Sequence, residues 1–239
     1  MRILVLGDIH SNWVALRAIE ETFDFCVFTG DLVDYGTDPL PCIDWIRRHA
    51  NASVRGNHDH AVAQRVQGAG KTGYRRLAAA IRPLHWELID TRRQKFLARL
   101  PVTTHFRVDN LSLHLVHATP RDPMDEYLNA DPVAWKQRLE SVNADIVCVG
   151  HSHSQFHLNL DEIQVLNPGS VGQPRDGDPR AAYAIIENGN VSLHRIEYNI
   201  DEAVEQVRST GVPDWVVELN KEIWTSGGHL SKEQMDEFC

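Results

Sequence analysis

Five strand-like apolar runs in this chain each stop at a short block carrying aspartate, histidine or asparagine, and no other feature restricts the fold as strongly. The runs are Ile3 to Leu6, Phe25 to Phe28, Ala52 to Val54, Leu111 to Val116 and Ile146 to Val149. The blocks are Asp8-Ile9-His10, Gly30-Asp31-Leu32-Val33-Asp34, Gly56-Asn57-His58-Asp59, Val116-His117 and Gly150-His151-Ser152-His153. A short continuous apolar run is the pattern of a strand buried on both faces. Helical patterns separate the first three runs, giving a βαβαβ order with parallel strands and right-handed crossovers. Ligands of open α/β sheets bind beyond the carboxyl ends of strands, so the five blocks are expected to meet on one rim. Seven ligand-type side chains on one rim are too many for one tetrahedral ion. They suit two divalent ions that share a carboxylate.

The remaining pattern is read around that frame. A helix is expected from Asn12 to Thr22, with Leu16, Ile19 and Phe23 at helical spacing, and another from about Leu40 to His49. Residues 60–100 read as a mainly helical insertion over the rim, broken by glycines at 68, 70 and 73, with Asp90 as an N-cap. Val102 to Val108 and Leu111 to Val116 form a hairpin around Asp109-Asn110. Asp131-Pro132 opens a helix to about Val142. After His153 the chain turns mainly β, with Asn188-Gly189 as a turn, and ends in helices from Asp201 and from near Pro213. No repeats or low-complexity linkers divide it, so residues 1–239 are expected to form a single domain.

Composition narrows the class of function. With 239 residues, 42% hydrophobic and 24% charged, the chain can bury a full core. Its formal charge of -9 leaves no basic stripe for a long polyanion, so long nucleic acid is a poor partner, while a short nucleotide gripped by metal remains possible. Cys26, Cys42, Cys148 and Cys239 are scattered, which argues against a disulfide framework and for a reducing compartment. The first strand begins at Arg2, leaving no room for a signal peptide, and no apolar stretch could span a membrane; the expectation is a cytoplasmic protein. The glycosylation-like triplets at Asn51, Asn110 and Asn190 are then chance matches.

The ordered set of blocks resembles the calcineurin-like metallophosphoesterase superfamily over nearly the whole chain. His117-Ala118-Thr119-Pro120-Arg121-Asp122-Pro123 and Asn167-Pro168-Gly169-Ser170-Val171-Gly172 resemble its small bacterial and archaeal single-domain branch. The resemblance implies an α/β four-layer αββα sandwich, two mixed sheets face to face with helices outside. It implies that Asp8, His10, Asp31 and His153 hold one metal and Asp31, Asn57, His117 and His151 the other. It makes His58 the proton donor to the leaving alkoxide, with Asp34 hydrogen-bonded to it; a turn aspartate is the lesser alternative for Asp34.

The chemistry of the donors agrees with that assignment. Mixed imidazole and carboxylate donors suit Mn, Fe, Zn or Co, with Mn the first choice in vitro, rather than Mg or Ca. Two divalent ions, less Asp8, Asp31 and a bridging hydroxide, leave one positive charge, which slightly favours a diester monoanion. The expected enzyme is a dinuclear-metal phosphoesterase acting on a small phosphodiester or nucleotide, with phosphomonoesters as a further class. A nuclease and a catalytically silent scaffold of the same fold are the rivals. The oligomeric state stays open.

Other residues carry two readings each. Asn12 could touch substrate phosphate or cap a helix. Arg175 could clamp a phosphate oxygen, although a solvated loop arginine is the commoner case. Lys71, Tyr74, Arg75 and Arg76 could face an anionic ligand or form a hydrated helix face. Tyr35 stands where the protein-phosphatase and symmetric dinucleoside-tetraphosphatase branches carry a phosphate-binding arginine, which counts against both of those reactions. Gly68-Ala69-Gly70-Lys71-Thr72 is not a P-loop, because Arg65 occupies the place of its first glycine and no strand precedes it. Gly169-Ser170 lacks the pattern of a nucleophile elbow.

Overall fold

In the computed structural model, β1 (Arg2–Leu6) alternates its side chains between two cores. Ile3 and Val5 point into a cluster shared with Leu113, Leu115 and Ile146, whereas Leu4 and Leu6 point into one shared with Leu16, Ile43 and Leu97. A strand buried on both faces has no polar side to offer, which explains its unbroken apolar run. The structure describes residues 1–70 and 73–231, so the expectations for Lys71 and Cys239 fall outside the described residues.

Two five-stranded mixed sheets result. In the first, β1 pairs in parallel with β2 (Phe25–Phe28), which pairs with β3 (Ala52–Ser53). On its other edge β1 runs antiparallel to β9 (Ala181–Glu187), and β10 (Asn190–Ile196) closes that side. In the second, β5 (Leu111–Val116), β6 (Ile146–Cys148) and β8 (Ile163–Asn167) are parallel. There β4 (Thr103–Val108) and β7 (Phe156–Leu160) are the antiparallel edges. Helices cover the outer faces, as expected of the four-layer αββα sandwich. Helices α1 (Trp13–Arg17), α2 (Pro39–His49) and α5 (Thr91–Arg99) lie on the first sheet, and α6 (Pro132–Leu139) packs Trp135 and Leu139 on the second.

A further cluster joins α4 (Gly73–Leu88), α7 (Ile200–Ser209) and α8 (Asp214–Ser226) through Leu77, Ile81, Val204, Leu219 and Trp224. The short α3 (Asn57–Ala63) opens the 60–100 segment. Asp90 caps α5 as expected, its Oδ1 accepting from the Arg93 N–H at 2.8 Å. The first expected helix is shorter than its periodicity suggests, ending at Arg17 rather than Thr22. Tertiary contacts override the local pattern there: Arg2 donates to the Thr22 carbonyl at 2.9 Å and pairs with Glu21 at 2.6 Å, and the Tyr183 hydroxyl donates to Glu21 at 2.7 Å. Cys26, Cys42 and Cys148 are buried and unpaired. Among the described residues no helix is long and apolar enough to cross a membrane.

Candidate metal and phosphoryl-transfer site

The carboxyl ends of β1, β2, β5 and β6 open on one rim, and the blocks that follow them turn their side chains toward each other. Backbone bonds tie the turns together: Asp8 N–H to Gly30 O at 3.0 Å, His10 N–H to Asp31 O at 3.1 Å, Gly150 N–H to His117 O at 2.8 Å. Gly56 is required by the closeness of this packing, since a Cβ there would lie 2.0 Å from Asp31 Oδ1. Asp8, His10, Asp31, His151 and His153 all hold positive φ, between 46° and 66°. Each such histidine costs roughly 1–2 kcal/mol of backbone strain.

Two donor groups form. Ligand-type atoms of Asp8, His10, Asp31 and His153 lie within 4.8 Å of one another, as do those of Asp31, His117 and His151; Asp31 belongs to both. His10 Nε2 is 3.2 Å from His153 Nε2, and His117 Nε2 is 3.2 Å from both His151 Nδ1 and Asp31 Oδ2. The far nitrogens are engaged outward. His10 Nδ1 donates to Val33 O at 2.8 Å, His117 Nδ1 to Thr29 O at 2.8 Å, His153 Nδ1 to Gln173 O at 2.5 Å and His151 Nε2 to Asp125 O at 3.3 Å. Those outer bonds orient the rings so that the inner nitrogens of all four imidazoles face the centre. Among the described residues, Asp31 Oδ2 and Asn57 Oδ1 are buried without any hydrogen-bond partner. Orphaned oxygens are costly in a protein interior unless something else satisfies them, and a divalent cation does. The residues therefore fit a metal.

Titration follows the same geometry. Burial lowers His10 and His151 each to about 3, and holds His153 well below the usual imidazole range, so these rings stay neutral, the form that ligates metals. Burial pushes the Asp8 carboxyl up to about 7, against the pull of His117. Burial also opposes charge on His117, yet Asp31 and Asp8 outweigh it and raise the ring to about 9. A cation bound there would displace that proton.

Beside the donor groups lies a second constellation. His58 Nδ1 sits 2.7 Å from Asp34 Oδ2, the pairing expected from the sequence. Asp34 is fully buried and is held by Arg82, whose Nε donates to Oδ2 at 3.0 Å. Burial works against the Asp34 charge, but His58 and Arg82 hold its pKa below the ordinary carboxylate value. His85, also fully buried, accepts from the Asp34 N–H at 3.2 Å and donates to Gly36 O at 3.0 Å. Arg82 and His85 received no role from the sequence. The available signal is their place on α4: the buried stripe of Leu77, Ala78 and Ile81 continues into two polar residues. Asp59 was likewise missed; it is buried and accepts from the N–H groups of Asp31, Leu32 and Gly56 at 2.9, 2.8 and 3.1 Å, stitching two blocks together.

The two residues given a substrate contact fare differently. Asn12 caps α1, its Oδ1 accepting from Ala15 N–H at 3.0 Å and its Nδ2 donating to Gly172 O at 3.2 Å; at 2% exposure, the capping reading is the one its geometry carries. Arg175 is not the solvated loop arginine that residue statistics favour. Its guanidinium lies 4.2 Å over the Tyr74 ring and donates to the Tyr35 hydroxyl at 3.3 Å, the Tyr127 hydroxyl at 3.3 Å and Gln173 Oε1 at 2.8 Å. Its Nε has no partner. Neutral phenols surround it, among the described residues no carboxylate forms an ion pair with it, and the Tyr35 hydroxyl that it meets is also 3.2 Å from His58 Nε2. The insertion residues separate as well: Arg76 stacks on Trp215 at 3.9 Å, Tyr74 donates to Gly228 O at 2.9 Å, and Arg75 lines a cavity beside His58. That cavity, about 460 Å³, is also bordered by Tyr35, Asn57, Arg82, Tyr127 and His151. A cavity of about 490 Å³ around Asp178 and Arg180 contains none of these groups, and its charges pair with each other at 2.6 Å.

A family model described as the calcineurin-like phosphoesterase superfamily domain matches residues 1–190. The chain belongs to this superfamily. As a calcineurin-like phosphoesterase it is a metal-dependent hydrolase of phosphoric esters. It is 34% identical to the uncharacterized protein MJ0912 of Methanocaldococcus jannaschii, covering 90% of this chain and 96% of that one. It is 24% identical to the phosphodiesterase YfcE of Escherichia coli K12, over 87% of this chain and 97% of the other. Among solved structures, a metallophosphoesterase from Sphaerobacter thermophilus superposes with a TM-score of 0.80 at 31% identity, covering 95% of this chain and 99% of that one.

Proposed function

We propose that this phosphoesterase hydrolyses a small phosphodiester or nucleotide, with phosphomonoesters as a second class, at a dinuclear metal centre. Asp8, His10, Asp31 and His153 would hold one ion and Asp31, Asn57, His117 and His151 the other. The observation that carries the reading is Asp31, a member of both donor groups with a buried, unpartnered Oδ2. Mn, Fe, Zn or Co suits this mixture of imidazole and oxygen donors, with Mn the first choice in vitro. Such ions, when bound, polarise a phosphoryl oxygen and make water nucleophilic near neutral pH.

The chain's own residues supply the rest. His58 donates a proton to the departing alkoxide, a contribution of about a hundredfold to ten-thousandfold. Asp34 accepts from His58 Nδ1–H and thereby leaves Nε2 as the atom that faces the leaving group. Arg82 and His85 hold Asp34 in that position. Arg175 supplies an uncancelled positive charge beside Tyr35, the position at which other branches carry their phosphate-binding arginine. That charge widens the range of substrates toward dianions. The reading treats residues 1–239 as one domain whose helical 60–100 segment borders the site. Buried, unpaired cysteines support a reducing, cytoplasmic setting.

Elemental analysis of the purified protein, paired with hydrolysis of bis(4-nitrophenyl) phosphate before and after chelation, tests the proposal. About two equivalents of metal and activity that chelation removes and metal restores are expected. Full activity in protein stripped of metal would end it.

A further inference from the structure

One face of α4 turns toward the cavity beside His58. Arg75, Ala78 and Arg82 line it, at the i, i+3 and i+7 spacing that stacks side chains along a single helix face. The two arginines differ in what they meet. Arg82 is buried and neutralised by Asp34, and it donates to Val66 O at 3.0 Å. Arg75 is exposed to the cavity and, among the described residues, makes no hydrogen bond or ion pair. Its neighbour Arg76 is already stacked on Trp215. Arg75 is thus a cation with cavity on one side and no acid assigned to it.

Its distance from the chemistry is set by the helix. Seven residues at the α-helical rise place Arg75 roughly 10 Å along the axis from Arg82, which holds Asp34 and, through it, His58. Ala78, which lies between the two arginines on α4, lines the cavity together with Gly68 and Ala69, small groups that offer space and no charge. Among the described residues, the one acid lining the cavity is Asp125, whose carbonyl accepts from His151.

Resting on the proposed function, in which His58 marks the side of the leaving group, we infer that the α4 face is a leaving-group subsite. It receives an alcohol that carries a second anionic group, a carboxylate or phosphate, on a neutral spacer. Arg75 binds the remote anion and Ala78 leaves room for the spacer. A phosphate joined directly to the reacting one would be too close to reach Arg75, so the subsite selects esters with a ring or sugar in between.

A matched pair of ligands tests this: 4-carboxybenzylphosphonate and its carboxylate methyl ester, which differ by one charge at the far end and cannot be hydrolysed. Metal-loaded full-length protein is titrated with each by calorimetry. The wild type is expected to bind the carboxylate probe about threefold to fivefold more tightly, the range of a solvent-exposed charge pair. Arg75→Gln should bring that ratio to one, Arg75→Lys should keep part of it, and Arg75→Glu should invert it. Equal binding of the two probes by the wild type, a preference that survives Arg75→Gln, or no binding of either probe overturns the subsite. Hydrolysis of 4-carboxyphenyl phosphate and its methyl phosphodiester is measured alongside. Arg75-dependent binding without turnover of any ester overturns the hydrolase reading and leaves the subsite standing. Turnover without an Arg75-dependent preference does the reverse.

Discussion

The two ends of the parallel strands use the same backbone conformation for opposite purposes. At the amino ends, positive φ falls on Asp109, Asp161 and Asn188, each in a tight turn between antiparallel strands. Short polar side chains tolerate that region, so these turns cost little and fix register. At the carboxyl ends it falls on Asp8, His10, Ser11, Asp31, Asp34, Tyr35, His151 and His153. Histidine, tyrosine and serine gain nothing local from it. At roughly 1–2 kcal/mol each, the strain of His10, Ser11, Tyr35, His151 and His153 is a large share of the net stability of a domain. It persists because the long-range ties described above, with the Ser170 hydroxyl on Asp8 O at 2.7 Å, leave no other path for the chain. Strain that cohesion elsewhere must offset marks the working end of the molecule; relaxed turns mark the structural end.

Substitutions can break or sharpen that contrast. The largest effect is expected for Asp31→Asn at the rim, with turnover of bis(4-nitrophenyl) phosphate falling roughly a thousandfold or more as several kcal/mol of Lewis-acid stabilisation are lost. Metal retention by elemental analysis should fall in parallel; retained metal with unchanged turnover would remove Asp31 from the centre. Next comes His58→Asn, expected to slow alkyl phosphate esters about a hundredfold to ten-thousandfold but nitrophenyl esters far less, since nitrophenolate leaves without a proton. Equal losses on both substrates would argue that His58 only shapes the rim.

His85→Gln separates support from chemistry. Burial lowers His85 from 6.5 to about 4, so its neutral form is favoured in the folded state. The stability it contributes is present above pH 6.5 and is lost as pH falls toward about 4, up to about 3 kcal/mol. Denaturant unfolding of the metal-free protein across that window should show a shallower acid loss in the variant; identical pH profiles would mean that the ring titrates freely. The smallest effect is expected at the opposite end. Asn188→Gly should shift stability by less than about 1 kcal/mol and leave kcat/KM unchanged, because glycine accepts positive φ at the Asn188-Gly189 turn. A large loss of activity there would dissolve the distinction between the two ends.

How much of this could be read from sequence follows from the range of each interaction. The rim was legible because its donors sit directly after strands, where the chain's own order brings them together; even the orphaned oxygen of Asn57 fell on an expected position. The His58–Asp34 pair was legible only through the family resemblance that those blocks carry, since Asp34 by itself also read as a turn aspartate. Arg82 and His85 were not, because they reach Asp34 from a helix some fifty residues downstream, and only the packing of Leu77 and Ile81 on α8 aims them. The surroundings of Arg175 were not legible, because the tyrosines around it come from three distant segments. The premature end of α1 has a similar origin, in Arg2 and Tyr183 pulling on the residues that periodicity assigns to the helix.

The place of β1 between β2 and β9 bears on how the protein is made. During synthesis from the amino terminus, Ile3–Leu6 must wait with one open hydrogen-bonding edge until residues 181–187 leave the ribosome. For most of that interval the nascent chain carries an adhesive strand that any passing β-segment could join. Slow translation should therefore favour aggregation of truncated chains over accumulation of partly active ones.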